Sequence, residues 1–167
     1  MPLQFEQIPP ALQSLYAYWA SKRKGDAIPS RADISPIEIP NLLPFIYLLE
    51  DVDGQFRYRL AGAAIVEAYG FNPTGKSLDQ VLKGKNLAFA TRACRDALAS
   101  GRVVLSKSAV TDRYGEPCIV TRIAMPLRAR GTRSMLLAGF FMEPDSIDSS
   151  VKHTEPLGRA PFESAML

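Results

Sequence analysis

The segment "RYRLAGAAIVEAYGFNPTGKSL", residues 57–78, decides the fold because its pattern of apolar residues changes abruptly. Its start continues an alternating stretch, so Phe56, Tyr58 and Leu60 are expected on one face of a strand. The alanine-rich part that follows ends at Gly70, as a short helix would. A strand that passes directly into a short helix predicts a chain that crosses one face of a sheet.

The sequence on either side of this segment supplies the rest of a sheet and a longer helix. Residues 45–54 form an apolar run followed by turn residues, which predicts a hairpin with the strand described above. Residues 76–84 suggest another short helix, and residues 86–100 carry apolar side chains at helical spacing. Three strand-like stretches follow at 102–111, 118–127 and 134–142. This order predicts the α+β class, with a five-stranded antiparallel sheet and short helices on one face.

The N-terminal part of the chain has a different character. Leu12, Leu15, Tyr16 and Trp19 recur at helical spacing, which predicts an N-terminal amphipathic helix. The stretch 26–44 is rich in proline, which excludes a long helix and favours an extended arm. The apolar face of the helix, Tyr16 and Trp19 included, can cover the sheet of its own chain or contact a second subunit, so a homodimer through this helix is one expectation.

The composition is that of an ordinary globular protein of about one domain. The chain has 167 residues, of which 47% are hydrophobic and 22% charged. We divide it into an N-terminal helix and proline-rich arm (1–44), a sheet domain (45–142) and a polar C-terminal tail (143–167) that is expected to be mobile or loosely docked. The sequence has neither an apolar run long enough for a membrane span nor a signal-peptide start, which predicts a cytoplasmic protein.

Four short motifs carry a resemblance to a known family. They are the pair Tyr18-Trp19, the element Pro-x-Arg-x-Asp-Ile at 29–34, the element Arg-Tyr-Arg-Leu-Ala-Gly at 57–62, and "DRYGEP" at 112–117. Together with the element order, they resemble the single-domain PAS family common in alphaproteobacteria, formerly catalogued as a domain of unknown function. The similarity spans about residues 12–141.

The resemblance implies a sensory or regulatory module and leaves the ligand open. PAS domains bind a small ligand or cofactor, or none, in a cavity between the sheet and the helices, and they signal through contacts with a partner. Many dimerise through a helix that precedes the core. For this chain the resemblance implies a non-enzymatic sensor or adaptor in bacterial signalling, with a regulatory protein as partner.

The residues offer little for catalysis, for a metal or for the familiar cofactors. The one histidine, His153, lies in the polar tail, so a catalytic base, a metal ligand set or an axial haem ligand is missing from the domain. Cys94 lacks the flanking Asn and Phe of the flavin-reactive motif in light-sensing PAS domains and falls on the apolar face of its helix. Cys94 and Cys118 are therefore expected to be buried, unreactive thiols. The cofactor stays unknown, with haem and a flavin adduct disfavoured.

A ligand cavity, if present, would lie between the sheet and the helices. Its expected walls are Phe56, Tyr58, Leu60, Phe89, Ala93, Thr121, Met125 and Phe140. Ser106, Ser108 and Arg122 interrupt apolar strands and could orient a small organic ligand. The same side chains would also serve simply to fill the core of a small domain, so plain packing remains the alternative.

Two arginines in the deciding segment have an undecided role. Arg57 and Arg59 alternate with apolar residues and are expected on the sheet face opposite to them. They can pair with Asp33 or Glu38 of the arm, or bind an anionic ligand or a partner. The pairing within the chain is the preferred interpretation.

Two other functional classes stay open beside the sensor or adaptor. A small enzyme could use an α+β cavity for proton transfer, with Tyr58 as acid or base. A protein that binds anionic ligands or nucleic acid could use the basic clusters Lys22–Lys24 and Arg128–Arg133. Nucleic acid is disfavoured, because the net charge is only +3 and no aromatic residues are interleaved with these clusters.

Overall fold

The computed structural model describes residues 4–128, 131, 133–145 and the backbone of 162–166. Its helices are α1 (Pro10–Ser21), α2 (Ala63–Tyr69), α3 (Leu78–Val81) and α4 (Gly84–Ser100). Its strands are β1 (Ile46–Val52), β2 (Gln55–Ala61), β3 (Val104–Thr111), β4 (Pro117–Leu127), β5 (Met135–Pro144) and β6 (Phe162–Met166). The arm between α1 and β1 contains the short 3₁₀ helices Arg31–Asp33, Pro36–Glu38 and Pro40–Phe45.

All neighbouring strands of the sheet are antiparallel, in the order β2-β1-β5-β4-β3-β6. The five predicted strands are present, and the predicted α+β class is confirmed. One strand was not predicted, because β6 lies in the tail and pairs with β3 over 104–108. β5 also continues to Pro144, two residues past the expected end of the domain. The tail is therefore ordered at 162–166, where we expected loose docking.

The sheet has two faces, and both are covered by the same chain. We call the side against α2, α3 and α4 the helix face; its strand residues include Tyr47, Leu49 and Phe140. The other side, against α1 and the arm, is the arm face; its strand residues include Leu48 and Met125. Each face carries its own cluster of buried apolar side chains, so the domain has two cores separated by one sheet.

Helix α1 lies tightly on the arm face of its own sheet. Leu12, Leu15 and Trp19 are buried, and the Trp19 indole N–H donates to the carbonyl oxygen of Pro126 at 3.0 Å. A Cβ at Gly139 of β5 would come within 2.8 Å of both leucine side chains, so glycine permits this close approach. The expectation that Trp19 contacts a partner is wrong, because only 1% of it is exposed. Most of the apolar face of α1 therefore packs within the chain, but Tyr16 is only half-buried, so a homodimer through this helix stays a prediction.

A β-bulge in β2 changes the side to which Leu60 points. Leu49 pairs with Tyr58 and Leu48 pairs with Leu60, which leaves Arg59 as the extra residue. Phe56 and Tyr58 therefore face the helices, as predicted, while Leu60 turns to the arm face and is 36% exposed. The prediction that Leu60 shares a face with Tyr58 is wrong because regular alternation stops at the bulge.

Candidate functional site

A small inner cavity lies between the helix face of the sheet and the helices. It is lined by Tyr47, Leu49, Tyr58, Tyr69, Leu78, Leu82, Phe89, Ala90, Ala93, Cys94, Val104, Ser106, Arg122 and Ala124. Its volume is about 30 Å³, enough for about one water molecule. Ligand and cofactor sites usually measure roughly 300–1,000 Å³, so the cavity does not fit a haem or a flavin with its walls as they stand.

The polar groups of the inner cavity surround one buried arginine. The Nη1 atom of Arg122 donates to the Ser108 hydroxyl at 3.3 Å, and its guanidinium lies 5.5 Å from the centre of the Phe140 ring. The Tyr58 and Tyr69 hydroxyls are 3.4 Å apart. Ser106, Ser108 and Arg122 were expected to be the polar groups here, and Ser106 and Arg122 line the cavity.

Burial keeps the acidic groups around the inner cavity protonated at neutral pH. Desolvation raises the pKa of the Tyr47 and Tyr58 phenols well above the ordinary value, and the nearby Arg122 opposes the rise only in part. Burial likewise raises the pKa of Cys94 to about 12. Cys94 is therefore a thiol rather than a nucleophilic thiolate, and Tyr58 is not a base.

The predicted cavity residues divide between the two faces. Tyr58, Phe89 and Ala93 line the inner cavity, while Phe56 and Phe140 lie on the helix face beside it. Thr121 and Met125 lie on the arm face, so their assignment to the cavity is wrong, as it is for Leu60. In β4 the even-numbered residues face the helices and the odd-numbered residues face the arm. From Val120 to Leu127 both sets are buried, so apolar character gave no sign of the correct side.

Two tyrosines are among the cavity residues that the sequence did not predict. Tyr47 lies on β1 next to Tyr58, with ring centres 5.7 Å apart, and Tyr69 is the last residue of α2. In the predicted hairpin Leu49 lies opposite Tyr58, and Tyr47 is two residues before Leu49 on β1. The alternation of side chains along β1 would therefore have placed Tyr47 on the helix face. Nothing in the sequence around Tyr69 distinguishes it from a residue that ends a surface helix.

An outer cleft adjoins the inner cavity on the solvent side. It has a volume of about 200 Å³ and is lined by Ala68, Tyr69, Phe71, Val81, Leu82, Thr111, Asp112 and Arg113. Tyr69 and Leu82 belong to the walls of both spaces. The Tyr69 ring also packs against Phe71 and Phe140, with ring centres 6.0 Å away in each case.

The rim of the outer cleft carries exposed aromatic side chains around an arginine. Phe71 is 41% exposed and Tyr114 is 71% exposed. Arg113 donates to the Glu67 carboxylate at 2.8 Å and to the Tyr114 hydroxyl at 2.5 Å, and its guanidinium lies 4.8 Å from the centre of the Tyr114 ring. These contacts hold Arg113 and Tyr114 in place at the surface.

A larger recess, which we call the arm groove, opens on the arm face. Its volume is about 400 Å³, and its lining is Arg31, Ile34, Pro36, Ile39, Pro40, Leu43, Pro44, Ile46, Leu48, Leu60, Ala61, Gly62, Ala63 and Leu137. The arm, β1, β5 and the junction of β2 with α2 all contribute. Of these fourteen lining residues only Arg31 is charged.

The arginines of β2 have partners other than those expected. Arg59 pairs with Glu50 of β1, which also lies 3.4 Å from Arg133, and Arg57 donates to the carbonyl oxygen of Gly75 at 3.0 Å. The preferred pairing of these arginines with the arm is therefore wrong, because Asp33 and Glu38 of the arm form ion pairs with lysines instead. Their ion pairs are Lys24 with Asp33 at 3.8 Å and Lys22 with Glu38 at 2.7 Å. Binding of an anion or a partner by Arg57 stays a prediction.

The described residues show neither a metal-ligand group nor a membrane-spanning helix. His153 lies outside the described residues. Within the described ranges no group of three or more His, Cys, Asp or Glu side chains is placed to hold a metal ion. The helices that the structure describes include none with the length and apolar character needed to cross a membrane.

Comparison with known proteins gives one family match. The family model for the PAS domain matches residues 8–142, from just before α1 to near the end of β5. A search of curated proteins gave no match. The matched region includes the inner cavity, the outer cleft and the arm groove.

Proposed function

The chain belongs to the PAS domain family, and from that premise we propose that it is a non-enzymatic cytoplasmic sensor or adaptor that acts through protein contacts. The observation that carries the proposal is the position of Tyr69, which belongs to the walls of both the inner cavity and the outer cleft. A side chain shared by two sites lets the occupancy of one bias the shape of the other.

The proposed input is a change at the inner cavity. An occupant larger than about one water molecule needs a wall residue to move, and Tyr69 and Phe89 are only half-buried. A displaced Tyr69 loses its contact with the Tyr58 hydroxyl and its stacking on Phe71. A small organic ligand near Arg122 would thereby alter the rim of the outer cleft.

The proposed output is a protein partner that binds the rim of the outer cleft. Aromatic residues and arginine are enriched at protein interfaces, and they carry much of the binding energy there. Phe71, Arg113 and Tyr114 present this combination beside a concave surface. The contacts of Arg113 with Glu67 and Tyr114 reduce the entropy that would be lost on binding.

The two alternative functions receive less support. An enzyme that uses Tyr58 as a base is disfavoured, because burial keeps this phenol protonated. Nucleic-acid binding through Lys22–Lys24 is disfavoured by the ion pairs of Lys22 and Lys24 with arm carboxylates. The second basic cluster lies partly outside the described residues.

Site-specific crosslinking in the native host tests the proposed output. A photoreactive amino acid at Tyr114 is expected to capture a regulatory protein, and Phe71→Ser should reduce the yield severalfold by removing an exposed anchor. Ile37, which is 90% exposed on the arm, is the matched control position for the crosslinker. Recovery of the same proteins from both positions would show non-specific contact and contradict the proposal, as would a deletion strain with unchanged regulation.

Native mass spectrometry with an absorption spectrum of freshly purified protein tests the input. A bound small molecule should leave on denaturation, and Tyr69→Phe should change its retention while preserving the fold. A cavity that retains no molecule, and to which no metabolite pool adds mass, would remove the ligand from the proposal and leave only the adaptor.

A further inference from the structure

We propose that the arm groove is a second binding site, for a small amphipathic carboxylate that combines an apolar chain or ring with one acid group. The sheet separates this groove from the inner cavity and the outer cleft, because its floor is formed by arm-face residues such as Leu48 and Leu137. The inference is independent of the proposed function, and either can fail alone.

The size and lining of the groove suit a small apolar molecule. Its volume of about 400 Å³ lies inside the range of roughly 300–1,000 Å³ found for ligand pockets. Apolar side chains come from the arm on one side, including Ile34 and Ile39, and from the sheet on the other. A concave recess of this size suits a small molecule better than a protein partner, because a stable protein interface needs about 800 Å² of surface on each side.

Arg31 supplies the acid-binding group. Its backbone N–H donates to the carbonyl oxygen of Arg128 at 3.0 Å and its Nη1 to that of Ile34 at 3.1 Å, which fixes the side chain at the groove. The ion pairs found among the described residues all involve other cations. A guanidinium carries five N–H donors that match the geometry of a carboxylate, so a single acid group completes the site.

The groove is preformed by rigid elements. Pro36, Pro40 and Pro44 line it at every fourth position, and each fixes one backbone angle of the arm. Gly62 brings the arm against the start of α2, since a Cβ there would lie 2.2 Å from the carbonyl oxygen of Leu43. The bulge in β2 turns Leu60 into the groove. Bulges often re-aim a side chain at a functional site, and a preformed site loses little entropy when it binds.

Isothermal titration of the purified, delipidated full chain tests the ligand class. The probes are decanoate, used below its micellar concentration, and 1-decanol, used below its solubility limit. Decanoate is expected to bind about tenfold more tightly than the alcohol, the effect of one charge-assisted contact. Arg31→Gln should remove this preference, and Arg31→Lys should keep part of it. Equal affinity of the two probes for the unaltered chain, or no saturable binding below millimolar concentration, would overturn the proposal.

Methyl NMR of the unaltered protein tests the location. Decanoate is expected to shift the Leu43, Leu48 and Leu60 signals and to leave those of Leu78 and Leu82, beside the inner cavity, unchanged. Leu60→Trp should fill the groove and abolish binding, while Ile37→Ser on the same arm should not. Shifts confined to the inner cavity would overturn the proposal. So would a dimer through the groove that decanoate does not dissociate in sedimentation.

Discussion

Gly62 is the residue at which the arm and the sheet domain come closest. An added Cβ would lie 2.2 and 2.4 Å from the carbonyl oxygens of Leu43 and Pro44, and backbone atoms cannot move aside cheaply. We expect Gly62→Ala to lower the free energy of unfolding by about 1–3 kcal/mol, as overpacking does. Urea denaturation followed by circular dichroism measures it.

Gly75→Ala is the control for this substitution. Gly75 has φ +86° with no atom within 4 Å of its Cβ position, so alanine there meets backbone strain alone, about 1–2 kcal/mol. Urea denaturation of the Gly75→Ala variant therefore reports only that strain, whereas Gly62→Ala should also displace the arm. An arm-groove Leu43 methyl signal unchanged by Gly62→Ala would mean that the arm tolerates the added carbon.

Glu38 gives the arm a dependence on pH. The hydrogen bond from Lys22, followed by that from the Tyr18 hydroxyl, lowers the pKa of its carboxyl in the folded state. A lowered pKa means that the stabilisation is complete above the unfolded pKa and is lost as the pH falls through the folded one. We expect the melting temperature to drop between about pH 5 and pH 3, with a shallower drop in Glu38→Gln. Identical profiles would exclude a role for this ion pair.

At the scale of single elements, α1 is a structural part of the domain. Leu12 is fully buried against Gly139 of β5, so Leu12→Ala should cost about 2–5 kcal/mol. Ser14→Ala, on the exposed side of the same helix, should change the stability little. Chemical denaturation at two protein concentrations tests whether α1 covers the sheet of its own chain or that of a second subunit. A midpoint that rises with concentration would show that α1 covers a second subunit.

The strands show how far the sequence could predict such elements. The five strands and the helices followed from the periods of their apolar residues, and Tyr58 was placed on the correct face. Thr121 and Met125 were misplaced because α1 buries the second face of β4, so that alternation no longer separates inside from outside. Leu60 was misplaced because a bulge adds one residue to β2, and no residue type in the sequence announces it.

At the scale of the whole molecule, the tail closes one edge of the sheet. β6 pairs with β3 over 104–108 and satisfies backbone groups that would otherwise face solvent. β6 could not be predicted from the sequence, because five residues in a polar region give no lasting period. A chain ending at Asp145 is expected to expose this edge and to associate, which light scattering after size exclusion measures. Lys107→Pro in the truncated chain removes one donor of that edge and should reduce association; a truncated chain that stays monomeric would mean that the edge needs no cover.

The central position of β5 has a consequence for the time course of hydrogen exchange. Residues 135–139 of this strand pair with β1 on one side and with β4 on the other, while α1 and the apolar cluster of the helix face cover them above and below. Their amide protons can meet deuterium only when the whole domain opens, so their protection should equal the global free energy of unfolding. The amides of β2, at the sheet edge, should exchange through smaller openings. The slowest protons would thus report on the entire fold, and the faster ones on the strand that lines the arm groove.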